Sequence, residues 1–202
     1  LKLSASDGSV IWARSVGGNG VDQGLEGIVD GAGNPYVTGY FNNTVDFDPG
    51  PDSVGLVSRG LADIFVLKLK AADGSLGWVK RIGGIYHDWG RGIAFDALSD
   101  AIYITGDFRD TVDFDPGPDS VGMVSEGPHV RVGQITHIPA DIFVLKLDTS
   151  GAFIWARKMG GNAIDIGHSI AVDASGNVYT TGTFTDTADF DPGPGEVTFI
   201  SA

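Results

Sequence analysis

Two aspartates one residue apart occur three times in this chain: in VDFDPGPDSVG at Val45 to Gly55, in the same string at Val112 to Gly122, and in ADFDPGPGEV at Ala188 to Val197. Alternate residues of an extended segment share a face, so Asp46 and Asp48, Asp113 and Asp115, and Asp189 and Asp191 each pair their carboxylates opposite a Phe. Paired carboxylates repel unless a cation or backbone donors lie between them, and hard oxygen ligands of this kind suit Ca²⁺. The residues favour a plainer reading, in which the first Asp is solvated and the second caps the Pro-Gly turn by accepting backbone N–H groups. A D-x-D-x-D-G ligand ladder is missing, so Ca²⁺ is carried as the candidate cofactor and the turn as the leading alternative.

Other acids also recur. Asp22, Asp88 and Asp165 each follow a Gly-Gly pair and are expected to hold the loop between repeat units through backbone hydrogen bonds. DGAGN at Asp30 and DASGN at Asp173 have too few carboxylates for a calcium loop and read as side-chain-capped turns. Gly17, Gly18 and Gly20 precede no helix, so the basis of phosphate cradling is absent. Trp12, Trp78 and Trp155, each with a cation two residues on (Arg14, Lys80, Arg157), could stack sugars. Their repetition points instead to core packing with the cationic stems alongside. Ser6 to Trp12, SDGSVIW, is similar to the Asp-box of sialidase propellers but lacks its spacer between Asp7 and Gly8. Catalysis needs a unique constellation, and nearly every acid here is repeated, so no catalytic residue is assigned and the chain is expected not to be an enzyme.

Among 202 residues there are 31 Gly, 9 Pro and no Cys, the net charge is −13, and 42% are hydrophobic. That hydrophobic share argues for a folded core, and the Gly, Thr, Val, Ile and aromatic content for strands joined by tight turns. No helical stripe is present. The negative charge disfavours nucleic acid as a partner, and no apolar run approaches the roughly 18 residues of a membrane helix.

GGNGVDQGLEGIVD at Gly17, GGIYHDWGRGIAFD at Gly83 and GGNAIDIGHSIAVD at Gly160 mark an internal repeat. Asp22 and Asp88 are 66 positions apart, Asp88 and Asp165 77, so the second unit carries an insertion of eleven. One unit holds four strands, here lettered A (GIAFD), B (AIYITGDF), C (DIFVLKL) and D (GWVKRIGG), with turns between A and B and between C and D. In strand C, Phe65, Leu67 and Leu69 point one way and Ile64 and Val66 the other, so both faces must be covered. Four antiparallel strands buried on both faces at a fixed period suit stacked propeller blades, with a β-solenoid as the alternative.

DIFVLKLDTSGAFIWARKMGG, GHSIAVDASGNVYTTGTF and DFDPGPG together resemble the SBBP repeat, a β-propeller repeat of large secreted or surface proteins of bacteria. The resemblance implies NHL-like blades, with strand A innermost and the Trp-bearing strand outermost. It implies an extracellular or bacterial cell-surface location and no shared reaction.

The expected fold is therefore all-β: two complete four-stranded blades (21–83 and 84–160) between complementary half-blades, strands C-D in 1–20 and A-B in 161–202. Three blades are too few to close a ring. The open edges predict a partner, either other copies of the chain in a ring or filament or the remainder of a larger propeller protein. The insertion reads as a protruding hairpin, 128–139, turning at Gly133-Gln134. Val132 pairs with Ile135 and Val130 with His137 on one mostly apolar face, with His129, Arg131 and Thr136 on the other, which makes these residues a candidate contact ribbon or a tolerated surface insertion. His129 and His137 fall on opposite faces, which disfavours a shared metal. A structural or adhesive propeller module is the expected function. Glycan or peptide binding, and less so a hydrolase or lyase on a propeller scaffold, are the alternatives.

Overall fold

The computed structural model describes residues 1–132 and 135–201. No helix occurs among them. A first strand pair, β1 (Lys2–Leu3) and β2 (Val10–Trp12), is followed by the two-residue β3 (Gly17–Gly18). The first complete blade is β4 (Gln23–Val29), β5 (Pro35–Asp46), β6 (Gly55–Leu69) and β7 (Leu76–Ile82), antiparallel and in that spatial order. The second opens with β8 (Trp89–Asp96) and β9 (Ala101–Phe108). Two hairpins then intervene, β10 (Thr111–Asp113) with β11 (Gly122–Val124) and β12 (Val130–Val132) with β13 (Ile135–His137). The blade is completed by β14 (Asp141–Asp148) and β15 (Phe153–Gly161). A last pair, β16 (Ile166–Val172) and β17 (Val178–Thr183), and a hairpin of β18 (Thr187–Asp189) and β19 (Thr198–Ile200) follow. The A, B, C and D strands of the sequence are thus found in order, and the A-type strands β4, β8 and β16 pack against one another.

The two faces of strand C enter different cores. Phe65, Leu67 and Leu69 pack with Trp12, Phe41 and Phe47 in the first seam. Ile64 and Val66 turn to the other side and meet Ile102, Ile104, Phe143 and Leu145 of the second blade. Val144 repeats the inversion, joining Tyr103, Ile170 and Trp155 at the third seam. Strand alternation therefore makes each blade the filling between two interfaces.

The outer edge is locked by the C–D turns. Thr149, in the turn of the second blade, offers its carbonyl to Trp78 Nε1 (3.1 Å), Lys68 Nζ (3.0 Å) and the Tyr36 hydroxyl (3.5 Å) of the first. Ala71 does the same for Lys2 Nζ (2.9 Å) and Trp12 Nε1 (3.3 Å) one blade earlier. Trp12 and Trp78 are thus packing and docking residues, as their repetition implied, and Trp155 packs edge-on against Tyr103 with Arg157 over its ring. The next turn residue to matter, Gly151, has φ +83°, and a Cβ there would lie 2.8 Å from Lys80 Cε and 3.2 Å from the Trp78 indole. Gly151→Ala is expected to cost roughly 1–3 kcal/mol in urea unfolding, whereas Gly55→Ala, with nothing within 4 Å, is expected to stay within about 0.5 kcal/mol of the parent.

Candidate functional site

The DFDPGP segments are more than turns. Each is the tip of a hairpin: in the first blade the end of β5 with the start of β6, then β10 with β11, then β18 with β19. Just before each hairpin the chain bends through a left-handed residue, Asn43 (φ 61°), Asp110 (58°) and Asp186 (59°), a conformation Asn and Asp tolerate. The N–H of each bend residue is fixed by a serine hydroxyl, Ser58, Ser125 and Ser201, at 2.8–2.9 Å. The bend lays the hairpin back on the D-strand end of the preceding unit: Gly17 and Gly18 pair with Asp46 and Val45, and Gly160 and Gly161 with Asp189 and Ala188. The module is a staple between consecutive units, with Phe47, Phe114 and Phe190 anchoring it on Phe41, Phe108 and Phe184.

Its aspartates are engaged with backbone. Asp46 Oδ1 accepts the N–H groups of Asp48 (3.0 Å) and Val54 (2.9 Å), and Asp48 Oδ1 accepts that of Gly50 (2.7 Å). Asp113 and Asp115 repeat this with Asp115, Val121 and Gly117, and Asp189 and Asp191 with Asp191, Val197 and Gly193. The first aspartate is therefore the main cap and not a solvated bystander, which corrects the expectation from sequence. Backbone N–H bonds hold Asp46 and Asp189 below the usual carboxylate range. Each pair keeps its two Oδ2 atoms for a cation, against the six to eight oxygens Ca²⁺ takes. No group of three or more His, Cys, Asp or Glu side chains converges among the described residues. Millimolar CaCl₂ is accordingly expected to leave the melting temperature unmoved, and a saturable rise on titration would restore the metal reading.

The deeper tie is the linker aspartate. Asp88 is fully buried; its own N–H donates to the Ala62 carbonyl at 2.8 Å, its Oδ2 accepts from Gly84 N (2.7 Å) and its Oδ1 from Arg109 N (2.9 Å). Asp165 repeats all three contacts with Ala140, Gly161 and Thr185, and Asp22 joins Gly18 and Asn42. The expected loop-holding role is thus seen in every unit. A second acid heads each C strand: Asp63, buried, accepts from Arg59 N at 3.0 Å, and Asp141, also buried, accepts from Glu126 N at 3.0 Å and lies 3.2 Å from Lys158 Nζ. Both leave Oδ1 buried without a partner. A Cβ on Gly160 would sit 2.7 Å from Asp141 Oδ1 and 2.9 Å from Asp165 Oδ2, so only glycine fits between the two acids. These C-strand acids carried no visible signal beyond opening each DIFVLKL.

Burial pushes Asp88 up to about 7, the neighbouring Asp63 adding to it, and Asp141 up to about 6 against the pull of Lys158. Asp63 and Asp165 are raised by the same cause. A carboxyl whose folded pKa exceeds its unfolded value of about 3.9 holds extra protons in the folded state, so its contribution to stability falls as pH rises between those values. From these groups the protein is expected to melt higher at pH 5 than at pH 7.5. Asp63→Asn keeps an acceptor for Arg59 N and removes a like charge beside Asp88, so it is expected to flatten that slope in calorimetric scans.

The inserted hairpin has the register read from sequence, Val130 opposite His137, Arg131 opposite Thr136 and Val132 opposite Ile135; the Gly133-Gln134 turn lies outside the described residues. It leans on its own chain. His129 Nε2 is 3.5 Å from Asp110 Oδ2 and its ring meets Tyr86 edge-on at 5.7 Å, while Val130 and His137 wall an apolar cleft with Asn162, Ala163 and Ile164. His129 and His137 do not converge.

A different group was missed from sequence. Tyr40 and Trp89 stack at 5.3 Å, and His87, Asn19, Asn42 and Asn43 line the same cleft, of about 490 Å³. The available signal was departure from the repeat: Trp89 stands where the other units have Gln23 and Ile166, and Tyr40 where they have Asp107 and Thr183.

Face-to-face antiparallel four-stranded blades, joined by the same ties at each seam, define a β-propeller repeat protein. Residues 154–190 match the SBBP family model, a beta-propeller repeat; the match runs from the D strand of the second complete blade through Asp165 to the third DFDPG hairpin. The chain is also 23% identical over 204 residues to an uncharacterized WD repeat-containing protein of Acanthamoeba polyphaga mimivirus, with 89% of this chain aligned. It spans 14% of that protein's length.

Proposed function

We propose that the chain is a non-catalytic structural module of a propeller, whose exposed B strand is completed by a C-type strand of the same repeat. One comparison carries this reading. Tyr36, Tyr103 and Tyr179 occupy the same place on the three B strands, and their exposures are 0%, 3% and 57%. The first two are covered by a lysine from the adjacent C strand, Lys68 over Tyr36 at 4.9 Å and Lys146 over Tyr103 at 4.8 Å. Beside them, buried Thr38 and Thr105 donate their hydroxyls to the C-strand carbonyls of Phe65 and Phe143. β17 presents Thr181 and Tyr179 in the same positions but pairs only with β16.

Complementary surface lies on β1, where Leu1, Lys2 and Leu3 have the residue pattern of Leu67, Lys68 and Leu69, and Leu1 and Leu3 are exposed. A C strand of this type would bury Tyr179 and restore both the cation–π contact and the threonine bond. Assembly by blade completion favours a scaffold over a catalyst, because the buried linker aspartates Asp88 and Asp165 are spent on backbone N–H groups at seams.

Light scattering on the 202-residue chain is expected to show dimers or larger species, reduced to monomer by Tyr179→Asp. A parent chain that remains a stable, folded monomer at 100 μM, about the scale at which weak sheet-edge contacts of some micromolar affinity would be populated, overturns the proposal.

A further inference from the structure

The scaffold residues repeat from unit to unit; the cleft lined by Tyr40 and Trp89 does not. It lies where the linker at Asn19, the end of strand B of the first blade and the linker at His87 meet. Its volume falls in the roughly 300–1,000 Å³ range of small-molecule sites. The indole of Trp89 is held in place by stacking on Tyr40 and by the Arg91 guanidinium 4.4 Å from its ring centre. Arg91 and Arg109 are themselves engaged by buried Asp107, at 2.6 and 2.9 Å, and Arg109 also donates to the His87 carbonyl. Neither arginine lines the cleft.

The cleft is lined by no Asp, Glu, Lys or Arg. The side-chain amides of Asn19 and Asn43 have no partner among the described residues, and Asn42 spends its Nδ2 on the Leu61 carbonyl at 2.8 Å, keeping Oδ1 as an acceptor. His87 Nδ1 and Trp89 Nε1 are buried without a hydrogen-bond partner, a condition buried polar atoms rarely keep. Burial and the nearby Arg109 lower the His87 pKa, so the imidazole is neutral at pH 7.

We propose that this cleft binds an uncharged oligosaccharide, a pyranose C–H face lying on the Tyr40–Trp89 surface and vicinal hydroxyls bonding Asn19, Asn42, Asn43 and His87. Aromatic faces accept the apolar side of a sugar ring, and planar amides present donor and acceptor at the spacing of adjacent hydroxyls. Phosphorylated or acidic ligands would enter a chain of net charge −13 with no free cation in the cleft. The inference is independent of blade completion, since its residues lie at the seam between the first and second blades and in the linkers at Asn19 and His87, none of them on β1 or β17.

The test uses the intact chain, with ¹⁵N-indole spectra and calorimetry against neutral β-linked gluco- and N-acetylglucosamine oligosaccharides, their acidic counterparts, and short peptides. The Trp89 indole signal, assigned by its loss in Trp89→Leu, is expected to shift saturably with a neutral oligosaccharide. Asn19→Ala, at an exposed site outside the fold's hydrogen bonds, is expected to weaken binding about tenfold, the loss of one or two hydrogen bonds, without changing the melting temperature. The proposal falls if no neutral oligosaccharide moves that signal at millimolar concentration, if only acidic glycans or peptides bind, or if Asn19→Ala and Trp89→Leu both bind as the parent does.

Discussion

The linker aspartate is the constraint on which the stacking of units depends. Asp88 is covalently between blades and hydrogen-bonded to both: to Ala62 and Gly84 of one, and to Arg109 of the next. A carboxylate has two acceptor atoms and its residue one backbone donor, so a single side chain fixes three strands around one buried point. Neither Asn nor Glu reproduces this; an amide turns one acceptor into a donor, and an extra methylene displaces both oxygens. The cost is a buried charge, moderated by its raised pKa; the Asp165 seam carries the same cost, and each of the two has a second acid alongside, Asp63 or Asp141.

Around that point the apolar work is divided by strand alternation. Ile64 and Phe65 are neighbours in sequence and serve different cores, so a substitution in strand C at one parity disturbs one seam and leaves the other. The DFDPGP hairpin adds a third, peripheral tie, and its location explains why the second unit tolerates eleven extra residues. The insertion leaves the chain after β11 and returns before β14, outside the four-stranded ladder, so none of the blade's register is altered.

Much of this was legible in the sequence because repetition supplies its own controls. The four strands, their faces, the linker aspartates and the hairpin register of Val130 with His137 follow from spacing and period alone. What did not follow depends on three-dimensional return. Asp46 looks solvent-facing on an isolated strand, yet its hairpin folds back so that its carboxylate meets Val54 N eight residues on. Ser58, Ser125 and Ser201 look like ordinary surface residues until the left-handed bends they cap are seen. Asp63 and Asp141 read as polar strand ends, although they are buried beside a second acid.

Residues that recur from unit to unit mark what every blade needs to stack. A ligand site on a repeat scaffold is built from the positions where one unit differs, because a contact made once has no reason to be written three times. Trp89, Tyr40 and His87 are such departures, and they meet although Tyr40 belongs to the first blade and Trp89 to the second. The common seam places these two positions side by side in every unit pair; at the next seam the corresponding residues are Asp107 and Ile166, which share no such stack. The scaffold thus supplies the juxtaposition, and single substitutions on it supply the chemistry.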